Sequence, residues 1–175
     1  MADELALFDI LLSTERSTGE RLEALNSLRP FLETDEAVNK LSDSLATEET
    51  VAVKHLMLEL LCNIDITRIT DRAKYIRALS LTACLDAERP LRYMAVERLA
   101  FLAPHVAEVQ EILAETLVND LDTGIQLASI QGLRNCVQKT AETAEKIAAY
   151  IPMAPAPCRG PLLALVQQLP QPHAE

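Results

Sequence analysis

Tryptophan is absent from this chain of 175 residues, aromatic residues make up only 3%, and glycine occurs four times. An all-β sandwich needs glycine at many tight turns, so this scarcity argues against that class. Long apolar runs are missing as well, because no stretch approaches the ~18 residues that a membrane span requires. The amino-terminal segment is acidic before a short apolar run, whereas a secretory signal would be basic there. We therefore expect a cytosolic protein that does not enter the membrane.

Basic charge is also scarce, since 16 Lys and Arg stand against 26 Asp and Glu and give a net charge of −10. A protein that binds a phosphate backbone over a broad face normally shows a basic excess, so nucleic acid is disfavoured as a partner. The apolar fraction of 49% and the charged fraction of 24% are typical of a folded chain. The length suits one domain with a sizeable core.

The sequence contains no motif that carries known chemistry. Glycine-rich phosphate loops and the nucleophile elbow are missing. The four cysteines are widely spaced, without a CxxC pair, and such cysteines in a cytosolic chain are reduced and buried. His55, Glu59 and Cys62 share one helical face and could present metal ligands, but a surface His–Glu pair explains the first two equally well. We expect no cofactor, no metal and no enzymatic activity.

Apolar residues recur at three- and four-residue spacing along nearly the whole chain, which predicts an all-α protein. Polar and proline-containing breaks divide this pattern into pieces of ordinary helix length, joined by short connections. The predicted helices are residues 3–12, 17–29, 35–46, 48–62, 71–85, 88–102, 105–118, 123–137, 140–150 and 161–169. Residues 170–175 are expected to form a flexible tail.

An internal repeat is clearest around Arg92. Asp86 precedes it by six residues, Leu91 stands immediately before it, and Ala95, Val96 and Leu99 follow at +3, +4 and +7. The same frame fits around four further anchor residues, and successive anchors are separated by 33 to 38 residues. These anchors are Arg21, Lys54, Gln126 and, with a poorer match, Arg159. The predicted units span residues 3–31, 35–63, 70–102, 104–137 and 139–169 of a single domain.

The leading helix of each unit keeps the same register. Positions −10, −7 and −3 from the acidic residue lie on one helical face and are predicted to pack against the second helix. They are Leu5, Phe8, Leu12; Val38, Leu41, Leu45; Ile76, Leu79, Ala83; and Gln110, Leu113, Leu117. The first helix is apolar nearly all round, which is unusual for a helix that ends a stack. A second copy of the chain or another partner is expected to cover it.

The periodic helix pair resembles the HEAT-repeat family of armadillo-like α-solenoids. The resemblance rests on the Asp86-type acid, the Leu91-Arg92 dipeptide and the Ala95/Leu99 pair. It implies a right-handed superhelix of about five antiparallel helix pairs, with the second helices lining a concave side. It also implies a ladder in which the acids pair with Arg21, Lys54 and Arg92, and this ladder should fail at Gln126. The acids are Glu15, Glu48, Asp86 and Asp120.

Positions +1, +2, +5 and +9 of each second helix point away from the predicted core. Aromatic residues and methionine surrounded by polar groups are typical of protein-binding surfaces, although packing between adjacent repeats would also explain Tyr93 and Phe101. We therefore expect a non-catalytic interaction module or scaffold that binds a protein or peptide. The candidate residues are His55, Leu56, Glu59, Tyr93, Met94, Glu97, Phe101 and Gln131.

Two other functions remain open. Residues 66–98 are locally basic, and Arg68, Lys74, Arg77 and Arg89 could bind nucleic acid, although such charge runs are usually solvated faces. The resemblance also extends to HEAT-like lyase subunits that handle phycobilin chromophores, which would make the chain an enzyme or an accessory subunit.

Overall fold

The computed structural model describes residues 3–137 and 139–169, and within them it contains helices and turns but no strand. The helices are α1 (Glu4–Leu12), α2 (Thr18–Leu28), α3 (Asp35–Thr47), α4 (Val51–Cys62), α5 (Ala73–Leu85), α6 (Arg89–Leu102), α7 (Val109–Asn119), α8 (Thr123–Asn135), α9 (Ala141–Tyr150) and α10 (Ala156–Val166). The prediction of an all-α protein is confirmed. The tail predicted at 170–175 lies outside the described residues.

The first nine predicted helices each overlap an observed helix, but the tenth was placed wrongly. It was predicted over 161–169 because Pro152, Pro155 and Pro157 lie shortly before that range, whereas α10 begins at Ala156. Pro157 lies in the first turn, where backbone N–H groups have no intrahelical partner anyway. Pro161 lies inside the helix and removes only one hydrogen bond. The prolines therefore start the helix instead of preventing it.

The described residues form two compact bodies, an N-terminal body (Met1–Leu81) and a C-terminal body (Thr82–Glu175). In the N-terminal body α1 packs on α2, α3 packs on α4, and the second helices α2 and α4 lie side by side. In the C-terminal body α6, α8 and α10 lie side by side in the same way, and α7 lies beside α9. Within each body, the second helices of successive units are therefore neighbours.

Burial follows the repeat frame. The residues at −1, +3, +4 and +7 around Lys54, Arg92 and Gln126 are all buried. Three predicted core residues depart from the frame, because Leu5 and Leu12 of α1 and Leu163 of α10 are exposed. Each of them belongs to a helix that lies at one end of the repeat order. The same register positions are buried in other units, whereas α1 buries Leu7, Phe8 and Leu11.

The anchor residue in the first turn of a second helix contacts both its own helix pair and the loop of the next one. Arg21 donates from Nε to the carbonyl of Leu11 at 2.7 Å and pairs with Glu48 of the following repeat unit. Arg92 donates to the carbonyl of Asp86 at 3.1 Å and to Asp120 Oδ2 at 2.7 Å. These two pairs are rungs of the ladder that the family resemblance implies.

Gln126 departs from the charged ladder, as expected, and forms a neutral network instead. Its amide nitrogen donates to the Asp120 carbonyl at 2.6 Å and to Tyr150 Oη at 2.8 Å. The Cys158 thiol donates to Gln126 Oε1 at 3.4 Å. The glutamine therefore keeps the bond to its own loop and replaces the ion pair by hydrogen bonds to the next unit.

Gly132 permits the close approach of α8 to its neighbours. A Cβ at this position would lie 2.6 Å from Leu113 Cδ1 and 2.8 Å from Ala100 Cβ. It would also lie 2.9 Å from the backbone Cα of Ala100, which cannot move aside as a flexible side chain can. The absence of a side chain at Gly132 thus sets the distance between α6 and α8.

We predict that Gly132→Ala lowers the free energy of unfolding by about 1–3 kcal/mol, because overpacking forces the helices apart. Chemical denaturation of purified variants measures this change. Gly160→Ala in α10 is the matched control, because a Cβ there meets nothing within 4 Å and alanine favours the helix. Equal stability of the two variants would contradict the packing at Gly132.

We predict that Arg92→Met destabilises the protein by about 2 kcal/mol or more, because it leaves the nearly buried Asp120 carboxylate and two loop carbonyls without their donor. Arg89→Met removes the neighbouring pair with Asp122, in which the arginine is largely exposed, and should change stability little. Thermal unfolding compares the two variants. The same melting temperature in both variants would show that the Arg92–Asp120 pair contributes no more stability than the exposed Arg89–Asp122 pair.

Glu48 makes the ladder sensitive to acid. Burial opposes ionisation of Glu48, but hydrogen bonds from the Thr50 amide and from Arg21 outweigh it and lower the pKa of this carboxyl. A carboxyl whose pKa is lower in the folded state than in the unfolded state stabilises the fold at pH values above its unfolded-state pKa. This stabilisation is lost as the pH falls through the folded-state pKa. Glu48→Gln should therefore be less stable than the unmodified chain at neutral pH, and the difference should shrink below pH 4.5. Melting curves of both proteins between neutral pH and pH values below 4.5 measure this difference in stability. A difference that did not change with pH would refute the prediction.

Candidate functional site

The outward side of the second helices in the C-terminal body exposes apolar residues that the core does not use. We call the surface formed by Tyr93, Met94, Glu97 and Phe101 of α6 with Leu127 and Gln131 of α8 the α6–α8 face. Phe101 is 63% exposed, Leu127 is exposed, and Tyr93 and Met94 are half-buried. Leu91 and Ala95, which flank Tyr93 and Met94, are buried, so the predicted orientation of α6 is confirmed.

The two halves of the α6–α8 face meet where the helices approach most closely. Ala100 of α6 contacts Gly132 of α8. Phe101 follows the first of these residues in the sequence, and Gln131 precedes the second. Phe101 and Gln131 are both exposed, and each is one residue away from the point where the two helices approach closely.

Charged groups hold the two aromatic rings of the face. The Glu97 carboxylate raises the pKa of Tyr93, because it favours the protonated hydroxyl as a hydrogen-bond donor and its negative charge opposes ionisation. The Arg89 guanidinium lies over the Tyr93 ring at 5.7 Å from its centroid, and Arg98 lies over Phe101 at 5.0 Å. These contacts limit the motion of both rings, so less entropy is lost when a partner binds them.

The remaining predicted protein-binding residues lie on α4 in the N-terminal body. His55 is exposed, whereas Leu56 and Glu59 are half-buried. Glu59 forms an ion pair with Arg29 at 3.1 Å. These three residues share one side of α4 at helical spacing, as the repeat frame predicts, but they include no exposed aromatic or large apolar side chain. The α6–α8 face is therefore the better candidate.

Three of the four residues proposed as a basic patch are paired with carboxylates. Arg68 pairs with Glu33 at 3.0 Å, Lys74 with Asp43 at 2.6 Å and Arg89 with Asp122 at 2.6 Å. Arg77 is exposed. The predicted helices 48–62 and 71–85 leave a loop between them, and the structure shows one that contains a short 3-10 turn at Ile66–Arg68. Arg68 points outward from this loop. The acids reduce the positive potential that a phosphate backbone would require.

A cleft in the C-terminal body was missed by sequence reasoning. Its volume is about 480 Å³, and it lies beside the Arg92–Asp120 pair. The exposed side chains of Leu85 and Leu121 stand at its edge. Each of these leucines is adjacent in the sequence to the acidic residue of the repeat frame, Asp86 or Asp120. An apolar residue beside that acid, in an otherwise polar loop, is the sequence feature that could have indicated the cleft. The cleft is lined by Ala83, Cys84, Leu85, Asp86, Arg92, Glu115, Thr116, Asn119, Asp120 and Leu121.

The cysteines and histidines do not assemble into a reactive group in the described part of the chain. All four cysteines are free thiols. Burial raises the pKa of both Cys136 and Cys158, which keeps these thiols protonated. Over residues 3–137 and 139–169, no three His, Cys, Asp or Glu side chains are grouped so that they could bind a metal ion.

No protein-family model, no curated protein and no solved structure matches this chain. Among the helices that the structure describes, none combines the length and the apolar character needed to cross a bilayer.

Proposed function

We propose that the protein is a non-catalytic interaction module that binds a segment of a partner protein on the α6–α8 face. The observation that carries this proposal is that two adjacent helices, α6 and α8, leave Phe101 and Leu127 exposed and Tyr93 and Met94 half-buried. Aromatic residues and methionine are enriched at protein interfaces, and a few such anchors contribute most of the binding energy. Glu97 and Gln131 supply hydrogen-bonding groups around them.

The repeat architecture supports the same function. A stack of helix pairs presents its second helices as one extended surface, which repeat proteins use to bind partners. The side-by-side packing of α6, α8 and α10 and the anchors at Arg92 and Gln126 are consistent with a HEAT-like solenoid. We therefore place the partner across these second helices rather than on the leading helices.

A protein partner fits the α6–α8 face better than nucleic acid does. The face presents aromatic rings and aliphatic side chains, and the one charged residue among those that define it, Glu97, is an acid. Arg89, which precedes the face on α6, already forms an ion pair with Asp122. A nucleic-acid site would need several cations free to contact successive phosphates.

The variant Tyr93→Ala with Glu97→Lys should weaken partner capture by roughly 30-fold, which corresponds to the loss of one anchor worth about 2 kcal/mol. Helicity and melting temperature should change little, because both residues lie outside the core. Binding is measured by quantitative capture from a lysate of the source cells, with captured proteins identified by mass spectrometry.

A photo-crosslinking amino acid at position 101 makes the test independent of affinity. It should couple the partner that the unmodified chain captures, whereas the same amino acid at position 121, which is 96% exposed but off the face, should not. Lys74→Glu with Arg77→Glu serves as a second control. If this pair abolished capture while the Tyr93/Glu97 variant bound normally, the basic segment would be the site and the proposal would be wrong.

A further inference from the structure

The leading helix of the first repeat unit exposes leucines that are buried in the next unit. Leu5 is 60% exposed and Leu12 is 48% exposed. Their register equivalents in α3, Val38 and Leu45, are 0% and 2% exposed. Because the positions and the residue types correspond, α1 lacks a covering surface that α3 possesses.

The second helix of the last repeat unit shows the complementary feature. Leu163 of α10 occupies position +4 of the frame and is 54% exposed. Its four equivalents are almost completely buried, and these are Leu25, Leu58, Val96 and Ile130. A repeat unit that follows another covers this position, so α10 presents the surface on which a further unit would pack.

The two exposed stripes carry opposite charge. Asp9 is exposed and lies between Leu5 and Leu12 on the same side of α1, at spacings of four and three residues. The residues of α1 include two acids, Glu4 and Asp9, and no base. Arg159 is exposed one turn before Leu163, and α10 contains no acid.

We propose that two copies of this chain associate head to tail, with α1 of one copy packed on α10 of the other. Leu5 and Leu12 then cover Leu163, and Asp9 faces Arg159. A contact between two α1 helices would place two acidic stripes together, and a contact between two α10 helices would oppose two guanidinium groups. Charge complementarity therefore selects the heterologous contact over either symmetric one.

The experiment compares two variants, each of which blocks one end. Leu5→Glu with Leu12→Glu blocks α1, and Leu163→Glu blocks α10. Light scattering after size-exclusion chromatography should show that the mass of the unmodified chain rises above 19.3 kDa with concentration, whereas each variant alone remains at the monomer mass. An equimolar mixture of the two variants should form a dimer of about twice that mass, because each contributes one intact end.

Leu121→Glu is the matched control, because it makes the same change at an exposed leucine that belongs to neither α1 nor α10. It should associate like the unmodified chain, and circular dichroism should show the same helix content in all variants. The proposal is overturned if the unmodified chain stays monomeric at the highest concentration, or if Leu121→Glu abolishes association. It is also overturned if the Leu163→Glu variant still dimerises alone, or if the mixture remains monomeric.

A charge exchange tests the orientation separately. Asp9→Arg should weaken association at low salt, since it places two positive groups together, and Arg159→Asp should do the same with two negative groups. A chain with both substitutions should regain association, because the opposite charges are restored across the contact. Failure of the double exchange to recover association would contradict the pairing of Asp9 with Arg159.

Discussion

A side chain in the first turn of three second helices, Arg21 of α2, Arg92 of α6 and Gln126 of α8, links successive repeat units. Each of these side chains donates to a carbonyl of its own helix pair, at the end of the leading helix or in the loop after it, and also binds a polar group of the following unit. This double contact sets the angle within a pair and the distance to the next pair. In the charged form the carboxylates are nearly buried, whereas the guanidinium side chains of Arg21 and Arg92 keep a small exposure. The amide form of Gln126 suits a buried position, where an unpaired guanidinium would be costly.

The candidate binding surface depends on this arrangement. Arg92 fixes the start of α6 against the loop that precedes α8, and Gly132 lets the two helices approach along their length. The core residues of α6 then lie on one side, which leaves Tyr93, Met94 and Phe101 on the other. Guanidinium groups stack on two of these rings and hold them in place. A surface that is ordered before binding loses less entropy when a partner docks.

Helical periodicity predicted the helices, and the repeat frame predicted the orientation of α6, because both depend on local spacing that a core of stacked helices preserves. The start of α10 was missed because prolines were interpreted as breaks, although a first turn accepts them. The exposure of Leu5, Leu12 and Leu163 could not be read from periodicity, which reports the apolar face of a helix but not whether a neighbour covers it. The cleft beside Leu85 and Leu121 depends on loop geometry, which apolar spacing does not encode.

The account depends most directly on energetic coupling between repeat units through the anchor side chain. A double-mutant cycle with Arg92→Met and Asp120→Asn, followed by urea denaturation, measures this coupling. We expect an interaction free energy of about 1–3 kcal/mol, as found for buried residues that share a hydrogen-bond network. Additive effects of the two substitutions, within about 0.5 kcal/mol, would contradict the claim that the anchor joins successive units.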